Sequence, residues 1–192
     1  MTSSIQRFSY VLFLVAGLFT SCANESNHND TDSKDVAEEQ NEDKFSTKAG
    51  EKDAQFVVDV VSGNYYEVRL SNYAERTSAN AEVKSMAKKM AADHSAFLTE
   101  LKNLASSKSI SIPNEDSTEV AKAMNDLKDS KMENFDKEWM DKMIDKHKAS
   151  ISKLEGGLND VTDPEIKSWI ESALPTIRSH YDMLNQMHHA MK

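Results

Sequence analysis

The chain has 192 residues, with 23 Lys and Arg against 32 Asp and Glu and a formal net charge of −9; it carries 10 Met, 7 Phe, 5 Tyr and 2 Trp but only 5 Gly, 3 Pro and one Cys. That length suits one domain, and so few turn formers disfavour a sandwich or barrel. The acidic balance argues against a nucleic-acid partner, and a single Cys excludes both an intrachain disulfide framework and a Cys-rich zinc site.

Residues 1–8 carry one charge, Arg7, and an apolar run follows from Tyr10 to Phe19. The run is too short to span a bilayer and has the size of a signal-peptide core. It ends in Leu18-Phe19-Thr20-Ser21-Cys22, where small residues before the lone Cys resemble a bacterial lipobox. The sequence therefore predicts a lipoprotein signal peptide over 1–21 and a lipidated Cys22. Such an anchor would hold the protein to a membrane of the bacterial envelope, on the periplasmic side or at the outer membrane. The rival reading is an ordinary signal peptide followed by a Cys of no consequence. Residues 23–50 bring eight acids and little that is apolar beyond Val36 and Phe45. The stretch 22–50 is thus expected to be a disordered acidic tether, too polar to offset its ordering entropy. His28 within it is assigned no role.

From Asp53 the pattern turns helical, and the folded domain is expected over 51–192. Phe56, Val60, Gly63, Glu67, Leu70 and Ala74 alternate spacings of four and three, the seam of a packed helix. Thr77-Ser78-Ala79-Asn80 can end that helix and cap a second. The second carries Val83, Ala87, Met90, His94, Phe97, Leu101 and Leu104 on its seam and should fade near Ser106-Ser107. An irregular stretch with Pro113 follows, then a short helix over Ser117–Leu127. A third long helix begins near Glu133, with Met140, Met143, His147, Ser150 and Leu154 on its seam, and should weaken at Gly156-Gly157. Asp163-Pro164 is a helix-start signal. The fourth long helix places Ile166, Ile170, Ala173, Ile177, His180, Leu184, Met187 and Met191 on one face, and Pro175 is expected to kink it. The fold class is all-α: an antiparallel four-helix bundle with an extra short helix between the second and third long ones. A long coiled coil is the alternative, disfavoured by the short first joint.

Each long helix puts one ionisable group near the middle of its seam: Glu67, His94, His147 and His180. An unpaired charge there would cost several kcal/mol, and the usual escapes are pairing, neutralisation or metal binding. Imidazoles with a carboxylate suit zinc, iron, copper or nickel. Counted from Ala79, Glu67 is 12 residues back and His94 is 15 forward, which puts them within a turn of the same level. If the third helix ends at Glu155 and the fourth starts at Pro164, His147 and His180 are offset by roughly 12 Å. One four-ligand site and two smaller polar sites both remain open. The competing explanation is a metal-free hydrogen-bonded network that fixes helix register, with neutral imidazoles donating to Glu67, Asp93 or Tyr hydroxyls.

Di-iron chemistry in bundles needs Glu-x-x-His on two helices. Ala91, Ile144 and Ile177 stand three residues before the histidines, so a di-iron site is not expected. Met86, Met90 and His94 recur every four residues, Met140 and Met143 precede His147, and Met183 and Met187 follow His180. Thioether with imidazole would suit Cu(I), although Met also fills bundle cores well. Met90, Asp93 and Met143 are accordingly candidate soft or supporting groups. The His188-His189 pair is expected to be a frayed, solvated end. With no G-x-S-x-G, no Cys in the folded part and no Gly-rich phosphate loop, an enzyme ranks last.

These residues resemble a bacterial family of secreted, ferritin-like four-helix proteins, domain of unknown function 4142. The marks are Asp53-Ala-Gln-Phe56 and Glu67-Val-Arg-Leu70, then Val83-Lys-x-x-Ala87-x-x-Met90-x-x-Asp93-His94. Phe135-Asp136-x-x-Trp139-x-x-x-Met143-x-x-x-His147 and Leu174-Pro175-x-Ile177-x-x-His180 complete the set, over about residues 52–188. Trp139 stands where the family pattern favours Tyr. The resemblance implies a ferritin-like fold and export, and carries no activity or metal with it. The resulting expectation is an envelope lipoprotein whose bundle binds a transition metal through a His/Glu core. The alternative is a non-catalytic structural or interaction module with a metal-free polar core.

Overall fold

Six helices follow one another along the residues that the computed structural model describes, 32–114 and 117–191: α1 Ser33–Lys44, α2 Lys48–Thr77, α3 Ala81–Ser107, α4 Thr118–Asp129, α5 Met132–Asp160 and α6 Pro164–Ala190. The protein is all-α, with no strand among the described residues. The expected signal segment and Cys22 lie outside them.

The helix starts follow from capping chemistry. Asn80 accepts from the amides of Glu82 and Val83 at 2.8 and 3.3 Å, and Asp163 accepts from those of Glu165 and Ile166 at 2.9 and 3.1 Å. Pro164 takes the first helical position, where its missing N–H costs nothing. Asp53 lies inside α2 and caps no helix start of its own. Its buried carboxylate accepts from the amides of Thr162 and Asp163 and from the Thr162 hydroxyl at 2.8–2.9 Å, which ties the α5–α6 turn to α2.

Two apolar clusters fill the interior. The first contains Val57 and Val61 of α2, Leu98 and Leu101 of α3, Leu154 of α5, and Ile166 and Ile177 of α6. The second contains Leu70 and Ala74 of α2, Met86 and Met90 of α3, Trp139 and Met143 of α5, and Leu184 of α6, with α4 adding Val120 and Leu127. On every long helix the polar seam residue falls at the changeover. Glu67 lies between Val61 and Leu70, His94 between Met90 and Leu98, His147 between Met143 and Leu154, and His180 between Ile177 and Leu184. The polar groups therefore form a layer between two greasy halves.

Three expectations are corrected. Residues 33–44 are not part of a disordered tether: they form α1, and the compact unit begins near residue 31 rather than 51. The buried Asn41 holds α1 down, its amide donating to the Ser111 carbonyl at 2.8 Å and its oxygen accepting from the Ser111 amide at 2.7 Å. Those partners lie some 70 residues away, so a reading of local polarity could not see them. Second, α5 does not weaken at Gly156-Gly157 but continues to Asp160. A Cβ on Gly157 would collide with the Phe56 ring and approach Ile170 Cδ1 to 3.0 Å. That glycine permits close packing against α2 and α6; it does not end the helix. Third, the His188-His189 end is not wholly frayed and solvated: α6 stays helical to Ala190, and His188 in its last turn is part-buried, with Nε2 2.9 Å from Asp141, while His189 is exposed.

Candidate metal centre

Longer than expected, α5 removes the offset between His147 and His180. One ring nitrogen from each of His94, His147 and His180 lies within 4.8 Å of the others. All three side chains are fully buried, and their ring centroids stand 5.2, 5.3 and 5.5 Å apart. Of the two arrangements the sequence left open, the structure brings the three imidazoles into one cluster.

The hydrogen bonds on the outer side of each ring assign its tautomer. Asn64 donates from Nδ2 to the Val60 carbonyl at 2.8 Å, which turns its Oδ1 toward His94 Nδ1 at 2.9 Å. An amide oxygen only accepts, so His94 Nδ1 carries the hydrogen. His147 Nδ1 faces the Met143 carbonyl at 2.9 Å and must donate too. His180 Nε2 lies 2.8 Å from Asp93 Oδ2 and donates to that carboxylate. Lys89 holds the same oxygen at 2.7 Å. Burial pushes Asp93 upward, but the bonds from Lys89 and His180 outweigh it and keep the carboxyl below its ordinary range.

The remaining nitrogens follow by elimination. His94 Nε2, His147 Nε2 and His180 Nδ1 each carry a lone pair and no hydrogen. The Nε2 atoms of His94 and His147 face each other at 3.3 Å, with no hydrogen to share between them. His180 Nδ1 is buried without a hydrogen-bond partner. Burial holds all three rings neutral. His147 is lowered to about 3, chiefly by desolvation and then by His180, against the Met143 hydrogen bond. His94 falls well below 6.5 through burial and its two neighbours, and His180 is lowered by burial against the pull of Asp93. Three neutral imidazoles, locked from outside with lone pairs turned inward, are the form in which histidine ligates a metal.

Glu67 is not placed among those inward nitrogens. Its carboxylate lies 3.1 Å from His94 Nδ1 and 3.3 Å from His147 Nδ1, on the outer face. The expectation of a fourth ligand from α2 is corrected to an outer carboxylate that touches two of the three rings. Burial pushes Glu67 up to about 8, against the opposing pulls of Lys146 and of the Ser150 hydroxyl 3.5 Å away. A cleft of about 110 Å³ between α2 and α5 reaches Asn64 and Glu67, with Lys146 and Lys153 along it. The side chains of Met90 and Met143 are buried in the second apolar cluster, and Met143 meets His147 through its carbonyl. Sequence reasoning missed Asn64. Its signal was available, since a buried Asn one turn before Glu67 sits on the same helix face as the polar seam.

Residues 37–187 match the family described as domain of unknown function (DUF4142). That span covers most of the sequence, and the chain belongs to this family. Its fold is similar to the crystal structure of a DUF305 fragment from Deinococcus radiodurans, with a TM-score of 0.65 and 14% identity over 75% of this chain and 97% of that one. No curated protein matches the chain.

Proposed function

We propose that this protein is an envelope-anchored lipoprotein whose antiparallel, ferritin-like four-helix bundle binds one transition-metal ion through His94, His147 and His180. The order of core contacts supports the bundle. Along α2 and α6 the chain passes from the first cluster to the second, and along α3 and α5 it passes the other way. A single long connection carrying α4 joins the two helix pairs, as in ferritin-like bundles. The lipid anchor at Cys22, attachment to a membrane and an envelope location rest on the lipobox-like run and are part of the proposal.

One observation carries the metal reading: the opposed, hydrogen-free Nε2 atoms of His94 and His147 beside the unpartnered Nδ1 of His180. A register-fixing network accounts for the outer nitrogens but leaves three buried lone pairs turned toward one another. A cation resolves that conflict. Three imidazoles suit zinc, copper or nickel, and the outer bonds from Asn64, the Met143 carbonyl and Asp93 hold the rings in position.

Protein freed of metal with a chelator should gain thermal stability on adding Zn(II), Cu(II) or Ni(II), by about 2.7 kcal/mol at a hundredfold excess over Kd. The double substitution His94→Ala with His147→Ala should abolish the gain, and Asp93→Asn should weaken affinity by roughly ten- to a hundredfold. Melting curves unmoved by every metal would leave a polar core that serves register alone. Replacing Cys22 with Ala should release the protein from the membrane fraction of cells; retention there would remove the anchor.

A further inference from the structure

Methionine is distributed unevenly. The first apolar cluster and the residues packed on it contain none, whereas the second holds Met86, Met90, Met140 and Met143 in its interior and Met124, Met183 and Met187 at its margin. Seven of the chain's ten methionines thus lie on one side of the histidine layer. Val, Leu and Ile fill the other half of the same helices.

Three of these methionines line one groove. Between α3 and α6 a surface recess of about 370 Å³ is lined by Met86, Met183 and Met187, with Glu82, Gln186 and Lys89 beside them. Met183 and Met187 are one turn apart on α6, and Met86 faces them from α3. Met86 is buried, and Met183 and Met187 are half-buried, so the sulfur-bearing chains border solvent without being free in it. The neighbouring cation is already engaged, because Lys89 bonds Asp93 at 2.7 Å. The lining therefore combines neutral, polarisable sulfur with one unpaired carboxylate, Glu82.

We infer that the α3–α6 groove is a second metal site, in which Met86, Met183 and Met187 bind a soft monovalent cation of the Cu(I) class through their sulfurs. Thioethers are weak ligands for zinc or nickel and favourable ones for Cu(I), so the groove and the three imidazoles would select different ions. The sequence links the two places. Met86 and Met90 step down α3 toward His94 at intervals of four, and Met183 stands three residues beyond His180 on α6. This site does not depend on the histidine reading, and either can fail without the other.

The test uses Ag(I), a redox-inert stand-in for Cu(I), titrated into the protein with 13C-labelled methionine methyl groups. Ag(I) should shift the signals of Met86, Met183 and Met187 together and saturate at one equivalent. The exposed Met132 and Met191 serve as internal controls and should stay in place. Substituting all three groove methionines with Leu removes sulfur at nearly constant volume and should weaken Ag(I) binding at least tenfold, with Met183→Leu alone weakening it less. The same variants should keep the Zn(II) or Ni(II) thermal gain, whereas the His94→Ala, His147→Ala variant should lose that gain and retain the methyl shifts. Unchanged Ag(I) affinity in the triple variant would overturn the site, as would shifts spread equally over the exposed methionines.

Discussion

The two halves of the interior lie in the same four helices and solve packing differently. In the first half, branched and aromatic side chains meet backbone directly: Phe56 lies against Gly157, and Asp53 pins the α5–α6 turn with three bonds. In the second half, Met86, Met90, Met140 and Met143 share the cluster with Trp139 and Phe135. Branched side chains have few rotamers and define one arrangement, while unbranched Met adapts to irregular space. The difference teaches that one end of the molecule is built for rigidity and the other tolerates exchange of its fillers. The histidine layer marks the boundary.

The largest effect should come from that boundary, where four groups titrate together. Glu67 is raised from 4.5 to about 8, so its contribution is fully present below pH 4.5 and is lost as pH climbs toward 8. His147 is lowered from 6.5 to about 3, and His94 and His180 are lowered as well. Their contribution is present above pH 6.5 and is lost as pH falls toward 3. Three imidazoles outweigh one carboxyl on the acid side. The melting temperature of chelator-treated protein should therefore peak near pH 6.5, falling steeply below it and gently up to about 8. Glu67→Gln should remove the alkaline decline and leave the acid limb. A flat profile would mean that the layer is wet and that the halves are not separated by it.

Truncating a central filler should hurt both halves alike. Leu101 and Trp139 are each fully buried, one in each cluster. Leu101→Ala should cost about 2–5 kcal/mol and Trp139→Ala about 3–5 kcal/mol in chemical denaturation. If only the Trp139 variant were tolerated, the Met-rich half would be loosely packed as well as adaptable. Gly157→Ala comes next. Helix propensity favours the change by somewhat under 1 kcal/mol, but the collision with Phe56 and Ile170 should leave a net loss of about 1–2 kcal/mol.

Much of this was legible in the sequence because a helix seam is a local signal. The 4-3 steps through Val83, Met90, Leu101, Ile166 and Leu184 report a buried face directly, and Asn80 and Asp163 mark helix starts by their own chemistry. What failed depended on distant partners. The polarity of α1 concealed a helix because Asn41 finds its bonds at Ser111, and Gly157 read as a stop because its purpose is the Phe56 ring. The three histidines were found as polar residues on greasy seams. The outer position of Glu67 and the part of Asn64 were not, since which nitrogen faces inward is decided by bonds across helices.

The smallest change should be the exchange of buried sulfur for carbon. Met90 and Met140 are almost wholly buried in the second cluster, and Leu matches Met closely in volume. Replacing both with Leu adds a branch and removes a polarisable atom without opening a cavity. If that half is held by volume and adaptability, the double variant should stay within about 1.5 kcal/mol of the parent by urea unfolding. It should also keep the Zn(II) response, since the His94 ring is held by Asn64 and Glu67, which the exchange leaves in place. The mirror experiment places Met at Leu101 and Ile170, where neighbours are branched and Gly157 lies close; that pair should lose more than the Met-to-Leu pair. Equal losses from the two exchanges would show that both halves share one packing logic, and that adaptability is not what places Met90 and Met140 in the second half.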